Sequence, residues 1–200
     1  GMFNVTNAVG LVTKDNVVHA LWQHLDTTTP GGAEPFYWNS TTQTIVNLRD
    51  GLSGSEGFVE GHFLGENGVF YVLWGDNLLP VDTYDYRMWD STSEDNQLIV
   101  NSPHRMYTKL LSDGIGNAHV LWEDGDITLH WDTISKTSTE IGNGVAPPKL
   151  YMLGADGNVD DHIHVVWAEE DVNWPTHLTD LFYWRSDMGQ LRVRLPGDGC

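Results

Sequence analysis

One short phrase returns four times along this chain of 200 residues: VVHALW ending at Trp22, VFYVLW at Trp74, NAHVLW at Trp122 and HIHVVW at Trp167. The tryptophans stand 52, 48 and 45 residues apart (74−22, 122−74, 167−122). Self-similarity at a fixed period marks a repeat architecture, and a period near 45 made of strands points to propeller blades.

The phrase itself reads as a strand. Counted back from each tryptophan in twos, it gives Trp22/Ala20/Val18, Trp74/Val72/Phe70, Trp122/Val120/Ala118 and Trp167/Val165/Ile163, all apolar. The alternate positions are Leu21/His19/Val17, Leu73/Tyr71/Val69, Leu121/His119/Asn117 and Val166/His164/His162. A strand apolar on one face and largely apolar on the other is buried on both sides. A middle strand of a propeller blade is sandwiched in that way. Each phrase tryptophan is therefore expected to be buried between blades.

Three further strands complete each unit. Before the phrase comes a segment closed by a turn rich in Gly, Asp and Asn (AVGLVTKDN, EGHFLGENG, YTKLLSDGIGN, LYMLGADGN). After it come a loop, a third strand ending in an aromatic (FYWNS, RMWDS, LHWDT, FYWRS) and a fourth (TIVNL, QLIV, STEIG, LRVRL). Lettered A to D, these strands predict an all-β β-propeller of four four-stranded antiparallel blades. The blades span approximately 6–49, 58–101, 104–141 and 148–195 in one domain, 1–200. Strand A comes first and strand D last, so no blade is shared between the ends. Two arrangements satisfy this: a closed four-blade ring, or an arc completed by a second chain or by missing blades. An arc would expose apolar end faces and favour self-association through the end blades.

Charge narrows the partners. Asp and Glu number 28 against 10 Lys and Arg, a net −18, which repels nucleic-acid phosphate and anionic lipid alike. No apolar run approaches the roughly 20 residues of a membrane helix. Neither nucleic acid nor membrane is an expected partner. The one cysteine, Cys200, leaves no internal disulfide to argue from.

The phrase HIHVVWAEED, the later DLFYWRSDMG and their counterparts resemble the repeats of the sialidase-like (BNR-repeat, Asp-box) β-propeller superfamily, across all four units. In that family the C–D turn carries S-x-D-x-G-x-x-W. Here Ser93-Glu94-Asp95 keeps Ser and Asp but has Gln97 at the Gly position, and Ser186-Asp187-Met188-Gly189 has its Asp one place early and lacks the Trp. Ser40-Thr41-Thr42 and Thr133-Ile134-Ser135 keep only a hydroxyl. The resemblance implies a secreted or cell-surface setting; for activity it leaves glycosidases, lyases, lectins and plain scaffolds open. A catalytic sialidase would also bring three arginines to the substrate carboxylate. Arg49, Arg105 and Arg194 fall near D–A junctions but in no such motif, and no tyrosine–glutamate nucleophile pair can be assigned.

The short A–B and C–D turns contrast with B–C loops of differing length, roughly 24–35, 75–85, 123–126 and 169–180. Variable loops on a regular scaffold are where binding resides. The expected ligand residues lie there or at the adjoining D–A junctions: Trp174, His177, Glu169, Asp171, Asp180, Tyr84, Asp82, Asp26 and Arg105. Aromatic rings stack on sugar C–H faces and carboxylates accept sugar hydroxyls. A glycosidase would need two carboxylates about 5–9 Å apart, and the sequence offers many acids without choosing a pair.

Two metal readings fail on spacing. His19, His119 and His164, with Tyr71 as the fourth, occupy equivalent blade positions, which are spread around an axis rather than converging on an ion. A buried polar ring bonded to adjacent backbone is expected instead. Asp156-Gly157-Asn158-Val159-Asp160 matches the start of a calcium loop, but Asp161 replaces the required Gly and Trp167 the bidentate Glu. Calcium is the one ion suggested; otherwise no cofactor or metal is expected. The reading is a non-catalytic β-propeller binding module for a glycan or protein on the B–C face. The alternatives are a glycoside hydrolase of the resembling superfamily, whole or in part, and a structural repeat segment.

Overall fold

The computed structural model describes residues 5–12, 16–26, 32–52, 56–78, 83–125, 127–143, 150–159, 161–170, 179–188 and 193–195. In β1 and β13, in most of β16 and at the loop-side ends of β2, β14 and β15, only the backbone is described. Among the described residues the chain is all-β: four four-stranded antiparallel sheets of the β-propeller blade type, each a meander in chain order. Blade 1 comprises β1 (Val5–Val12), β2 (Val18–Asp26), β3 (Gly32–Asn39) and β4 (Ile45–Asn47). Blade 2 comprises β5 (Glu56–Leu64), β6 (Phe70–Leu78), β7 (Thr83–Asp90) and β8 (Asn96–Ser102). Blade 3 comprises β9 (Thr108–Ser112), β10 (Ala118–Asp124), β11 (Ile127–Asp132) and β12 (Ser138–Asn143). Blade 4 comprises β13 (Leu150–Val159), β14 (His162–Glu170), β15 (Thr179–Arg185) and β16 (Val193–Leu195). Among the described residues the one helical element is a 3-10 turn, Ser186–Met188. The blades group into two compact units, 1–105 and 106–200.

Inside each unit one joint is built twice over. In the first unit the tryptophan face of blade 2, with Phe70, Val72, Trp74 and Trp89, packs on Leu21, Tyr37 and Leu48 of blade 1. In the second, Ile163, Val165, Trp167 and Trp184 of blade 4 pack on Leu121 and Ile141 of blade 3. Aromatic contacts repeat as well: Tyr37 lies 4.6 Å from Trp89, and His130, at the corresponding place in blade 3, lies 4.9 Å from Trp184. A polar clip crosses the first joint. Trp74 Nε1 donates to Asn96 Oδ1 at 3.0 Å, and Asn96 Nδ2 donates to the Leu48 carbonyl at 2.6 Å. Trp74, Trp122 and Trp167 are buried as the pattern requires, but Trp22 is only half-buried. It lies on the face of blade 1 that the joint inside its unit does not use.

The C–D turns are closed by residues that the Asp-box comparison passes over. Asn39, Asp90 and Asp132 each follow the third-strand tryptophan, and each side-chain Oδ1 accepts the backbone N–H groups two and three residues on. Such Asx turns are a standard way for short polar side chains to satisfy turn backbone. The next residue, Ser40, Ser91, Thr133 or Ser186, accepts through its hydroxyl from the first residue of the second strand, or in blade 4 from its second residue. Those bonds are 2.9 Å from Val18, 2.9 Å from Phe70, 3.2 Å from Ala118 and 3.1 Å from Ile163. The turn then passes through a left-handed residue, Gln43, Glu94 or Lys136, at φ 54–56°. The working signature is W-[ND]-[ST]-x-[ST], which three of the four turns follow.

The repeated histidines bond to side chains rather than to the expected backbone. His19 Nδ1 meets Tyr37 Oη at 2.6 Å and His164 Nδ1 meets Tyr183 Oη at 2.8 Å. In blade 3 a second histidine takes the tyrosine's place, with His119 Nδ1 2.9 Å from His130 Nε2. His119 Nε2 faces Asp113 Oδ2 at 3.4 Å. This network assigns the tautomers: His119 donates to the carboxylate and accepts from His130. In blade 2 the tyrosine and its partner differ, and Tyr71 Oη accepts from Asn67 at 3.2 Å.

Trp74→Ala should cost about 3–5 kcal/mol in chemical denaturation, since it empties a fully buried site and strands Asn96. A loss below about 1 kcal/mol would contradict the joint. A second prediction concerns acid. Burial, reinforced by His119, pushes the His130 imidazole down to about 4, and burial lowers His119 in the same direction. A histidine depressed in the fold gives its full stability above the unfolded value near 6.5, loses it as pH falls towards 4 and levels off below. The loss attributable to His130 is roughly 3 kcal/mol. His130→Tyr, which installs the residue of blades 1 and 4, should flatten this part of the stability–pH curve; a curve parallel to the parent's would refute the assignment.

Candidate functional site

The ends of the second strands, the starts of the first and third and the ends of the fourth meet at one end of each blade. The variable B–C loops open there, and strand pairing fixes what flanks them. The position two residues beyond each phrase tryptophan pairs with a third-strand residue: His24 with Glu34, Asp76 with Asp85, Asp124 with Ile127, Glu169 with Asp180. Carboxylate-bearing residues thus sit directly opposite each other in blades 2 and 4. Asp26 pairs with Gly32 at the end of β2. For Asp26, Glu169 and Asp180 only the backbone placement is described, and Asp82, Asp171, Trp174 and His177 lie outside the described residues.

In the first unit this end holds two inner charge pairs. Arg49, just past β4, places Nε 3.1 Å from Asp76 Oδ1 across the joint and Nη1 4.0 Å from Glu34 Oε1. Gly57 makes room for it: a Cβ there would lie 2.7 Å from Arg49 Cδ and 2.8 Å from Pro35 Cδ. Asp85 receives Arg87 Nη2 at 2.6 Å and Asn101 Nδ2 at 2.7 Å. Asp76 is 1% exposed and Asp85 9%. Both carboxylates are held by guanidinium groups below the surface, an arrangement that fixes strand ends and blade spacing.

The outward part of the same end is different. Arg105 places its guanidinium carbon 4.4 Å from the centre of the Phe58 ring, and its Nη2 lies 3.0 Å from Glu60 Oε1. Its side chain is 62% exposed. Tyr84 meets the Phe58 ring edge-on with centroids 6.1 Å apart, and Tyr86 does so from beneath the surface at the same separation. Glu60 is placed by the irregularity between Val59 and Gly61 in the β5–β6 pairing, where an extra residue is left unpaired. Of the candidates read from sequence, the structure brings Tyr84 and Arg105 to one cluster and adds Phe58 and Glu60.

Phe58 and Glu60 carry no motif, but there is a signal for the ring. The residue after the phrase tryptophan is Gln23, Gly75, Glu123 or Ala168, and only Gly75 leaves the sheet surface bare. Phe58 pairs with Gly75, and a Cβ at Gly75 would clash with its ring. The cluster offers an aromatic face, guanidinium donors and a carboxylate acceptor side by side, a combination suited to a polyhydroxylated ligand with apolar C–H surface.

Among the described residues no group of three or more His, Cys, Asp or Glu side chains is placed to hold a metal ion. The stretch that resembles a calcium loop begins in strand: Asp156 pairs with His164 and Val159 with His162, so the chain turns as a tight hairpin. Among the described residues no helix is long and apolar enough to cross a membrane.

No family model matches the chain, and no curated protein matches it by sequence. Among solved structures the chain is similar to the crystal structure of a thermostable family-43 glycoside hydrolase, with 10% identity and a TM-score of 0.42 over 97% of this chain and 75% of that one.

Proposed function

We propose that this chain is a non-catalytic binding module that takes a glycan at the B–C end of its blades. The observation that carries the proposal is the cluster of exposed Arg105 with half-buried Phe58 and Tyr84, standing beside carboxylates that are buried and ion-paired. General acid–base work needs a carboxyl group within reach of the scissile bond, and Asp76 and Asp85 are not so placed. Ligand recognition needs only surface rings and donors, which the cluster supplies. A second reading keeps a specific support: Glu169 and Asp180 occupy opposite positions on adjacent strands of blade 4, two carboxylate-bearing residues on neighbouring backbone.

A glycan array combined with a hydrolysis screen separates the two. Binding without turnover is expected, with Arg105→Ala and Tyr84→Ala each weakening it about tenfold or more while the melting temperature stays near the parent's. Turnover that Glu169→Gln or Asp180→Asn abolishes would replace the proposal with the hydrolase reading. Binding unaffected by both Arg105→Ala and Tyr84→Ala would remove the cluster from the site.

A further inference from the structure

The joint seen inside each unit has two unlike halves, and blades 1 and 4 each carry a half that the joint inside their own unit leaves unused. The donor half is a tryptophan face: Phe70, Val72, Trp74 and Trp89 in one unit, Ile163, Val165, Trp167 and Trp184 in the other. The receiving half is a leucine face backed by a polar couple, His19–Tyr37 in blade 1 and His119–His130 in blade 3. Every one of the eight donor-half residues is buried.

Blade 1 also bears a donor half. Val18, Ala20, Trp22 and Trp38 stand at the corresponding positions and are all half-buried. The position matching the Asn96 clip is Ile45, since Trp38 pairs with Ile45 as Trp89 pairs with Asn96. Ile45 is 61% exposed. Blade 4 bears the receiving half. Val166 corresponds to Leu21, and the His164–Tyr183 couple reproduces His19–Tyr37, bond included. All three are half-buried. Tyr183 pairs with Val193 as Tyr37 pairs with Val46. Val46 packs into the joint of its unit, whereas Val193 is 42% exposed.

We infer that the tryptophan face of blade 1 is an interaction surface for the leucine face of blade 4 of a second copy of this chain. The occupant follows from chemistry already used twice in the fold. A face bearing leucine or valine over a histidine–tyrosine couple receives a tryptophan face, and blade 4 presents that couple with its apolar neighbour Val193 uncovered. Because the halves are unlike, the contact is heterologous, and two copies satisfy both halves when they close on each other. The net charge of −18 opposes the association at low ionic strength, so added salt should strengthen it.

Light scattering on the full chain at micromolar concentration tests the inference. The expected mass is twice the 22.4 kDa of one chain, with a rising dimer fraction from 20 to 300 mM salt. Ile45→Glu and Val193→Glu alter exposed side chains and should each reduce the dimer at least tenfold in association constant, with an unchanged circular dichroism spectrum. Leu98→Glu, the same change at an exposed residue of blade 2, should leave the mass as it is. A monomer throughout, or a dimer indifferent to both substitutions, would overturn the inference.

Discussion

Burying both faces of the second strand is the constraint from which the remaining structure follows. A strand covered on one side can alternate apolar with polar residues; one covered on both must be apolar nearly throughout. Its polar groups then need partners inside the blade. The histidines of the leucine face meet that demand by bonding to the third strand, Tyr71 through Asn67 of the preceding turn, and Trp74 through Asn96. Even the open end of the blade obeys it, since Asp76, in the strand that carries the phrase, is met by a guanidinium from the neighbouring blade.

That constraint also decides what could be read in advance. The strands and their alternating faces were legible because strict two-residue periodicity survives in every copy of the phrase. The open end was legible because its loops vary while the turns at the other end do not. The Asp-box pattern of Ser, Asp and Gly does not describe how the C–D turns close: closure depends on one side chain directly after the tryptophan and one hydroxyl next to it. Partners of the histidines were missed because Tyr37 and Tyr183 lie on a different strand, and only pairing brings them within a bond. Trp22 shows the limit of arguing by equivalence, since identical sequence positions need not have identical neighbours.

At the candidate site the contrast is sharper. Tyr84 and Arg105 could be nominated from chain position, but the ring that joins them could not. Phe58 is an ordinary first-strand aromatic until Gly75 is seen beneath it, and Glu60 is unremarkable until the irregularity at Gly61 turns it towards Arg105. Acid count likewise said nothing of role. Asp76 and Asp85 are spacers neutralised by arginine, while Glu169 and Asp180 hold the same paired register in blade 4.

The hydroxyl bonds from C–D turn to second strand link residues only 22, 21, 15 and 23 positions apart, always within one blade. Each blade therefore completes its own backbone hydrogen bonding locally, and what passes between blades inside a unit is mainly side-chain packing. Energetics of this kind are close to a sum of intrinsic terms and nearest-neighbour terms. A blade can then be added or removed with few hydrogen bonds to its neighbours, such as that from Asn96 to the Leu48 carbonyl, to be replaced. For a chain of this design the number of blades is an adjustable quantity.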